Sequence, residues 1–238
     1  MENMLMNRYL IIIVAGFLIN LSSIAMQQTG YTLNSWMDDD AELVRTRNNP
    51  NMKPSKLFKD RRPNDAVANF FSLNLIKLDG LEKVANKDKI TDLNVTGNRL
   101  SNLPSTIKQL TSLQELDLSN NQFKQVNFGL LTDLKNLSRL LLFANQLTTL
   151  VPLPILPGLK NLGLSNNEIT SIASDAFKNV PQIEIIQLDG NKLTQFDPAL
   201  IKDLKNLKVL NLQGNPLNAE SIKVLKENKP NPKVQIYL

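Results

Sequence analysis

From Ile90 onward the apolar residues of this chain return in a fixed figure. Within each window a leucine, isoleucine or valine stands at relative positions one, four and six, a further apolar residue at eleven and an asparagine at nine. The windows open at Ile90, Leu113, Leu137, Leu159, Ile183 and Leu207, so successive starts lie 23, 24, 22, 24 and 24 residues apart. Alternation through positions three to seven predicts one short strand per window. Positions four and six then face a common interior, while three, five and seven face the other way. Apolar pairs in the second half of the period, such as Ile107 with Leu110, Leu131 with Leu134, Phe177 with Val180 and Ile201 with Leu204, predict a second wall closing the same core. A turn after each strand needs partners for its backbone groups, and a side-chain amide both donates and accepts. Asn98, Asn121, Asn145, Asn167, Asn191 and Asn215 are therefore expected to stack as a structural ladder.

This figure, LxxLxLxxNxL at near-constant spacing, resembles the leucine-rich-repeat family over Ile90 to Leu217. The resemblance implies an α/β leucine-rich-repeat solenoid, with a curved parallel β-sheet on the concave face and short helices and turns on the convex face. It also implies that a partner binds the concave sheet at positions two, three, five, seven and eight. Read at those positions, the third repeat sets Leu141 and Phe143 side by side, with Gly163 leaving a gap beside them. Each could contribute roughly 1.5–3 kcal/mol if buried under a partner. Glu115, Asp117, Arg139, Leu141, Phe143, Asn161, Ile185, Gln187 and Val209 form the candidate partner surface. Two plainer alternatives stand beside it: apolar residues scattered on a surface without consequence, or cover by the chain preceding residue 65. The third period is also the shortest, and Pro152, Pro154 and Pro157 predict an extended convex segment there.

The ends of such a stack need covering. Val67, Phe71, Leu75 and Leu78 fall at helical spacing, which predicts an N-terminal helical cap over residues 65–89, continued by Leu81 and Val84. At the other end, residues 218–238 predict a C-terminal cap. Asn218 caps a helix from Ala219 to Asn228, and a terminal strand places Val234 and Ile236 24 residues after Leu210 and Leu212. That register assigns Gln235 to position five and Tyr237 to position seven.

Ahead of the repeats, residues 1–25 read as a signal peptide. A basic start ends at Arg8, an apolar stretch runs from Tyr9 to Ile19, and Ser23-Ile24-Ala25 offers small residues for cleavage after Ala25. The alternative is an uncleaved N-terminal helix that anchors the chain. Residues 26–64, rich in Asn, Asp, Lys, Arg and Pro, bury little apolar surface and read as a flexible polar linker or tail.

Composition narrows the chemistry. The chain has no cysteine and no histidine, which removes disulfides, thiolate ligands, a cysteine nucleophile and the usual proton shuttle. No metal, cofactor or catalytic residue is expected. Secreted animal members of the family carry cysteine-bonded caps, so their absence points to a bacterial-type exported protein, periplasmic or secreted. The net charge of +5 draws much of its excess from Lys53, Lys56, Lys59, Arg61 and Arg62. With no nucleic-acid module beside that run, no nucleic-acid partner is expected. The function this predicts is a noncatalytic, monomeric recognition module whose partner is a protein, or else a glycan. A secreted inhibitor or accessory subunit of an extracellular enzyme is the alternative.

Overall fold

The computed structural model describes residues 13–14, 17–18, 66–78, 81, 84, 86–229 and 233–238. Contacts divide the chain into two units, Met1–Arg45 and Thr46–Leu238. In the first, the described residues form an antiparallel pair of two-residue strands, β1 (Ile13–Val14) and β2 (Phe17–Leu18). The signal peptide, its alternative as an anchor and the linker over 26–64 otherwise lie outside the described residues. No helix among those residues is long and apolar enough to cross a membrane.

The second unit is a solenoid. Its spine is an eight-stranded sheet built of β3 (Val67–Asn69), β4 (Asp92–Asn94), β5 (Glu115–Asp117), β6 (Arg139–Leu141), β8 (Asn161–Gly163), β10 (Ile185–Gln187), β11 (Val209–Asn211) and β12 (Gln235–Tyr237), in that order across the sheet. Every neighbouring pair is parallel. The register sets Leu93, Leu116, Leu140, Leu162, Ile186 and Leu210 side by side, and all six are buried. The repeat spacing thus fixes the pairing, because a slip of one residue would turn each leucine row out to solvent. On the convex side, short 3-10 helices at Ser105–Gln109 and Phe128–Leu131 carry Ile107, Phe128 and Leu131 inward, and a third at Pro198–Leu200, with no buried residue of its own, leads into the buried Ile201. Between them β7 (Thr149–Leu150) and β9 (Ser171–Ile172) form a small parallel pair.

The six amides bind each coil to the one before. Asn145 is representative: its Oδ1 accepts from Phe123 N at 3.1 Å, and its Nδ2 donates to Leu118 O, Leu142 O and Phe143 O at 3.1–3.2 Å. Asn121, Asn167, Asn191 and Asn215 repeat the pattern on Leu100, Leu147, Ile169 and Leu193. The residue before each asparagine has positive φ in every repeat: Gly97, Asn120, Ala144, Asn166, Gly190 and Gly214. A left-handed residue there swings the chain off the strand and aims the next side chain inward. Glycine and asparagine tolerate that backbone best, which explains five of the six identities.

The helical cap expected over 65–89 is corrected: residues 67–69 are strand and 70–78 run on in turns and extended chain, so Val67, Phe71, Leu75 and Leu78 share no helix. Val67, Ala68 and Asn69 pair in parallel with Asp92, Leu93 and Asn94. Two periodicities compete here. The spacing of Val67, Phe71, Leu75 and Leu78 suits a helix, but Ala68 and Phe70 followed by Leu73, Leu75 and Leu78 suit a coil like those that follow, and these five are the buried ones. The open edge of β4 decides the contest. Phe70 N and Ser72 N donate to Asn94 O and Thr96 O at 2.7 and 2.9 Å, bonds a helix would leave unmade. This coil has Leu73 where the others have asparagine, and Asn98 compensates by accepting from both Leu73 N and Leu75 N.

At the far end α1 (Ala219–Glu227) starts at Asn218, whose Oδ1 accepts from Ser221 N at 2.8 Å. β12 follows, but its register differs from the sequence expectation by two residues. Ile236 pairs with Leu210 and Tyr237 with Asn211, so Gln235 occupies position three and Tyr237 position five. Alternation identifies which face a residue takes, and both registers satisfy it.

Candidate functional site

Strand alternation brings positions three and five of every repeat to one face of the sheet, where they form two rows. The first, at position three, is Asp92, Glu115, Arg139, Asn161, Ile185 and Val209, and all of these are at least partly exposed. Together with the preceding position it lines an open groove of about 480 Å³, bounded by Asp92, Gln114, Glu115, Ser138, Arg139, Lys160, Asn161, Glu184 and Ile185. Of the candidate surface, Glu115, Arg139, Asn161 and Ile185 therefore meet in one place. Asp117, Leu141, Phe143, Gln187 and Val209 lie on the same face but outside the groove.

Position two is part of the expected concave face, but none of its residues stands in the candidate set. Gln114, Ser138, Lys160 and Glu184 supply four of the nine groove residues, and their signal was present in the repeat register, one residue earlier than the row that was read. Lys160, Glu184 and Lys208 even alternate in charge at 24-residue spacing. They pair: Lys160 Nζ lies 3.7 Å from Glu184 Oε1, and Lys208 Nζ donates to Glu184 Oε2. Arg139 Nε lies 3.8 Å from Glu115 Oε1. Such exposed pairs add little stability, but they hold opposite charges ready along the groove wall.

The second row is less open than its sequence suggested. Asp117 Oδ1 accepts from Ser119 N at 2.9 Å, and Asn69, Asn94 and Asn211 close the same turn two residues on. At these four strands an Asn or Asp at position five supplies the acceptor that closes the strand end. Leu141 corrects an expectation: it stands on the sheet face but is only 5% exposed, so it is covered there and offers no contact surface. Gly163 leaves no gap either. A Cβ there would stand 2.3 Å from Phe143 Cζ, so the Phe143 ring already covers the glycine and is itself only half-buried. The missing side chain lets the ring settle on the sheet. Farther along, Ser165 Oγ and Asn211 Nδ2 both donate to Asp189 Oδ1, at 2.5 and 3.0 Å.

Two groove carboxyls depart from their ordinary value of 4.5 in opposite directions. Burial raises Glu115, Arg139 opposes the rise, and Asp92 and Asp117 add to it. For Glu184 the hydrogen bond from Lys208 leads in lowering it, against partial desolvation and with help from Lys160. A carboxyl raised on folding binds more protons folded than unfolded, so its contribution to stability declines as pH rises from the unfolded value through the folded one. Glu115→Gln removes that decline. Its stability relative to the wild type should grow as pH is raised from about 4 to about 7 in urea titrations; a difference independent of pH would contradict the assignment.

Among the described residues no group of three or more acidic side chains is placed to hold a metal ion. What the face offers is a polar, charge-alternating groove beside a half-buried aromatic ring.

Comparison with known proteins agrees with this geometry. The family model described as "Leucine rich repeat" matches residues 88–147 and 157–217, and the chain belongs to that family. A leucine-rich-repeat protein of Leptospira interrogans is 30% identical, covers 69% of this chain and 42% of its own, and superposes with a TM-score of 0.52. A chain in the octameric complex of Latrophilin 3, Unc5D and FLRT2 (LRR) is 27% identical, with coverage of 68% and 51% and a TM-score of 0.60. An internalin of Listeria monocytogenes shares the fold at 21% identity, with coverage of 72% and 46% and a TM-score of 0.55. Among curated proteins, a probable inactive serine/threonine-protein kinase of Dictyostelium discoideum is 33% identical over 45% of this chain. A 187-kDa microtubule-associated protein of Arabidopsis thaliana is 37% identical over 37%. The matched segments span only 4% and 5% of those two proteins.

Proposed function

We propose that this chain is a noncatalytic recognition module that grips a protein partner along its concave sheet, outside the cytoplasm. The observation that carries the reading is the groove at positions two and three. Five consecutive strands present Asp92, Glu115, Arg139, Asn161 and Ile185 there at one height. Such a row suits an extended or convex protein surface: charges of both signs set orientation, while Ile185 and the neighbouring Val209 give an apolar end. Asp117, Phe143 and Gln187 extend the surface beyond the groove. Membership of a repeat family whose FLRT2 relative sits in a multi-protein complex supports a protein as the partner. The basic, apolar and small-residue sequence over 1–25 supports export.

Affinity capture from secreted and cell-envelope fractions tests this, with the wild type set against Arg139→Ala and Ile185→Arg. Loss of about tenfold or more in recovery of one protein, by both variants and with the fold intact, is the expected result. Equal recovery by all three chains would overturn it, and loss only when residues 26–64 are deleted would move recognition to that segment.

A further inference from the structure

Charge is balanced along the solenoid until its last coils. Residues 66–201 carry twelve basic and twelve acidic side chains, whereas residues 202–238 carry seven lysines against Asp203, Glu220 and Glu227. The repeat register decides where on that end the excess lies. Phe177, Ile201 and Leu225, 24 residues apart, are buried in the convex wall, and the residue after each is an exposed lysine: Lys178, Lys202 and Lys226. Three residues further on, Lys205 and Lys229 repeat at the same interval, also exposed. Lys223 stands three residues before Lys226 on α1, away from the buried Ser221 and Leu225. Elsewhere the fold pairs its lysines: Lys160 and Lys208 flank Glu184, and Lys192 Nζ lies 3.0 Å from Glu168 Oε2. Among the described residues none of the six convex lysines has a carboxylate within ion-pair distance. Lys205 Nζ and Lys229 Nζ donate to backbone, at Lys202 O and Val234 O. Like charges on adjacent coils repel at a cost to the fold, and an anionic partner relieves it.

The same wall holds the most exposed large apolar side chain among the described residues, Ile155 at 60%, with Val151 at 46%. Leu153 N and Leu156 N donate to Ala176 O and Asn179 O, which sets Ile155 on the coil beside Lys178. Lys135 Nζ, 3.3 Å from Ile155 O, flanks it on the other side. Exposed aliphatics bordered by lysines narrow the choice of partner. Protein interfaces are depleted in lysine. A soluble polyanion gives Ile155 and Val151 nothing to pack against. No arginine occurs from residue 202 onward, so the planar fork that reads a single phosphate or carboxylate is absent there, and the attraction is that of point charges on flexible stems. An anionic lipid surface meets both halves of the pattern. Headgroups take the ammonium groups, and the aliphatic side chains enter the boundary of the acyl layer.

We propose that the convex wall of the last coils, with Ile155 and Val151 at its border, seats the solenoid on an anionic membrane surface and leaves the concave groove facing away from it. Co-sedimentation of the full-length chain tests this, with vesicles of phosphatidylcholine alone or mixed in equal parts with phosphatidylglycerol. The mixed vesicles should bind the chain more tightly, and salt should weaken that binding. A lysine near such a surface contributes about fivefold in affinity, so Lys202→Glu/Lys226→Glu should lower it at least about 25-fold. Ile155→Ser should lower it about threefold or more. Arg99→Glu/Lys124→Glu, which makes the same change of charge away from this wall, should cost less than about threefold. All five positions are exposed, and circular dichroism should show each fold unchanged. Equal binding to both kinds of vesicle overturns the proposal, as does an equal loss in the charge-matched control. Binding kept by Lys202→Glu/Lys226→Glu would move the attraction to the run Lys53, Lys56 and Lys59. Capture by dextran sulfate without binding to the mixed vesicles would make the partner a soluble polyanion and overturn it too.

Discussion

Asn145→Leu is expected to lower the free energy of unfolding by about 3 kcal/mol or more, although it exchanges a polar side chain for an apolar one in a buried place. Leucine matches the surroundings in polarity and makes none of the bonds. Phe123 N loses its acceptor, and Leu118 O, Leu142 O and Phe143 O lose a donor. Asn145 is only 7% exposed, so water cannot readily replace the amide, and an unsatisfied buried group costs about 1–3 kcal/mol. Equilibrium urea denaturation gives the measure; a loss below about 1 kcal/mol would mean that the ladder is incidental to the stack.

Leu162→Ala is expected to cost about 2–5 kcal/mol, the range for leucine truncation in a closed core. Leu162 is fully buried and lies between Leu140 and Ile186 in the middle of the leucine row. A solenoid depends on contacts between adjacent coils, so a void at a central coil weakens two interfaces while a void at an end weakens one. Ile236→Ala on the terminal strand, where the side chain is only partly buried, should therefore cost markedly less in the same assay. Equal losses would argue that the coils unfold without regard to position.

The six central coils were legible because their identities are dictated by the interior they share. Positions one, four, six and eleven must be apolar and nine must be an amide, whatever the outer surface does. The first coil was not legible in the same way. Leu73 replaces the amide, and Val67, Phe71, Leu75 and Leu78 also satisfy a helical period; only the unpaired edge of β4 distinguishes the two. Face assignment survived at the C-terminus while register did not, since alternation repeats every two residues. The candidate surface was read least well for a related reason. Exposure at position five depends on what stands beside it: Leu141 is covered while Phe143 lies across Gly163, and that arrangement arises from a neighbour one coil away. The groove's second row needed only the adjacent position to be read in the same register.

The amides also give the stack a direction. From Asn98 to Asn215 each reaches back toward the N-terminus, to the coil already laid down, and asks nothing of the coil to come. A chain emerging from the ribosome can therefore seal one turn at a time, each new asparagine taking up one backbone N–H and one C=O of the coil before it. Shortening the protein from its C-terminal side leaves every remaining asparagine its partners, whereas shortening it from the N-terminal side leaves an asparagine with only the carbonyls of its own coil.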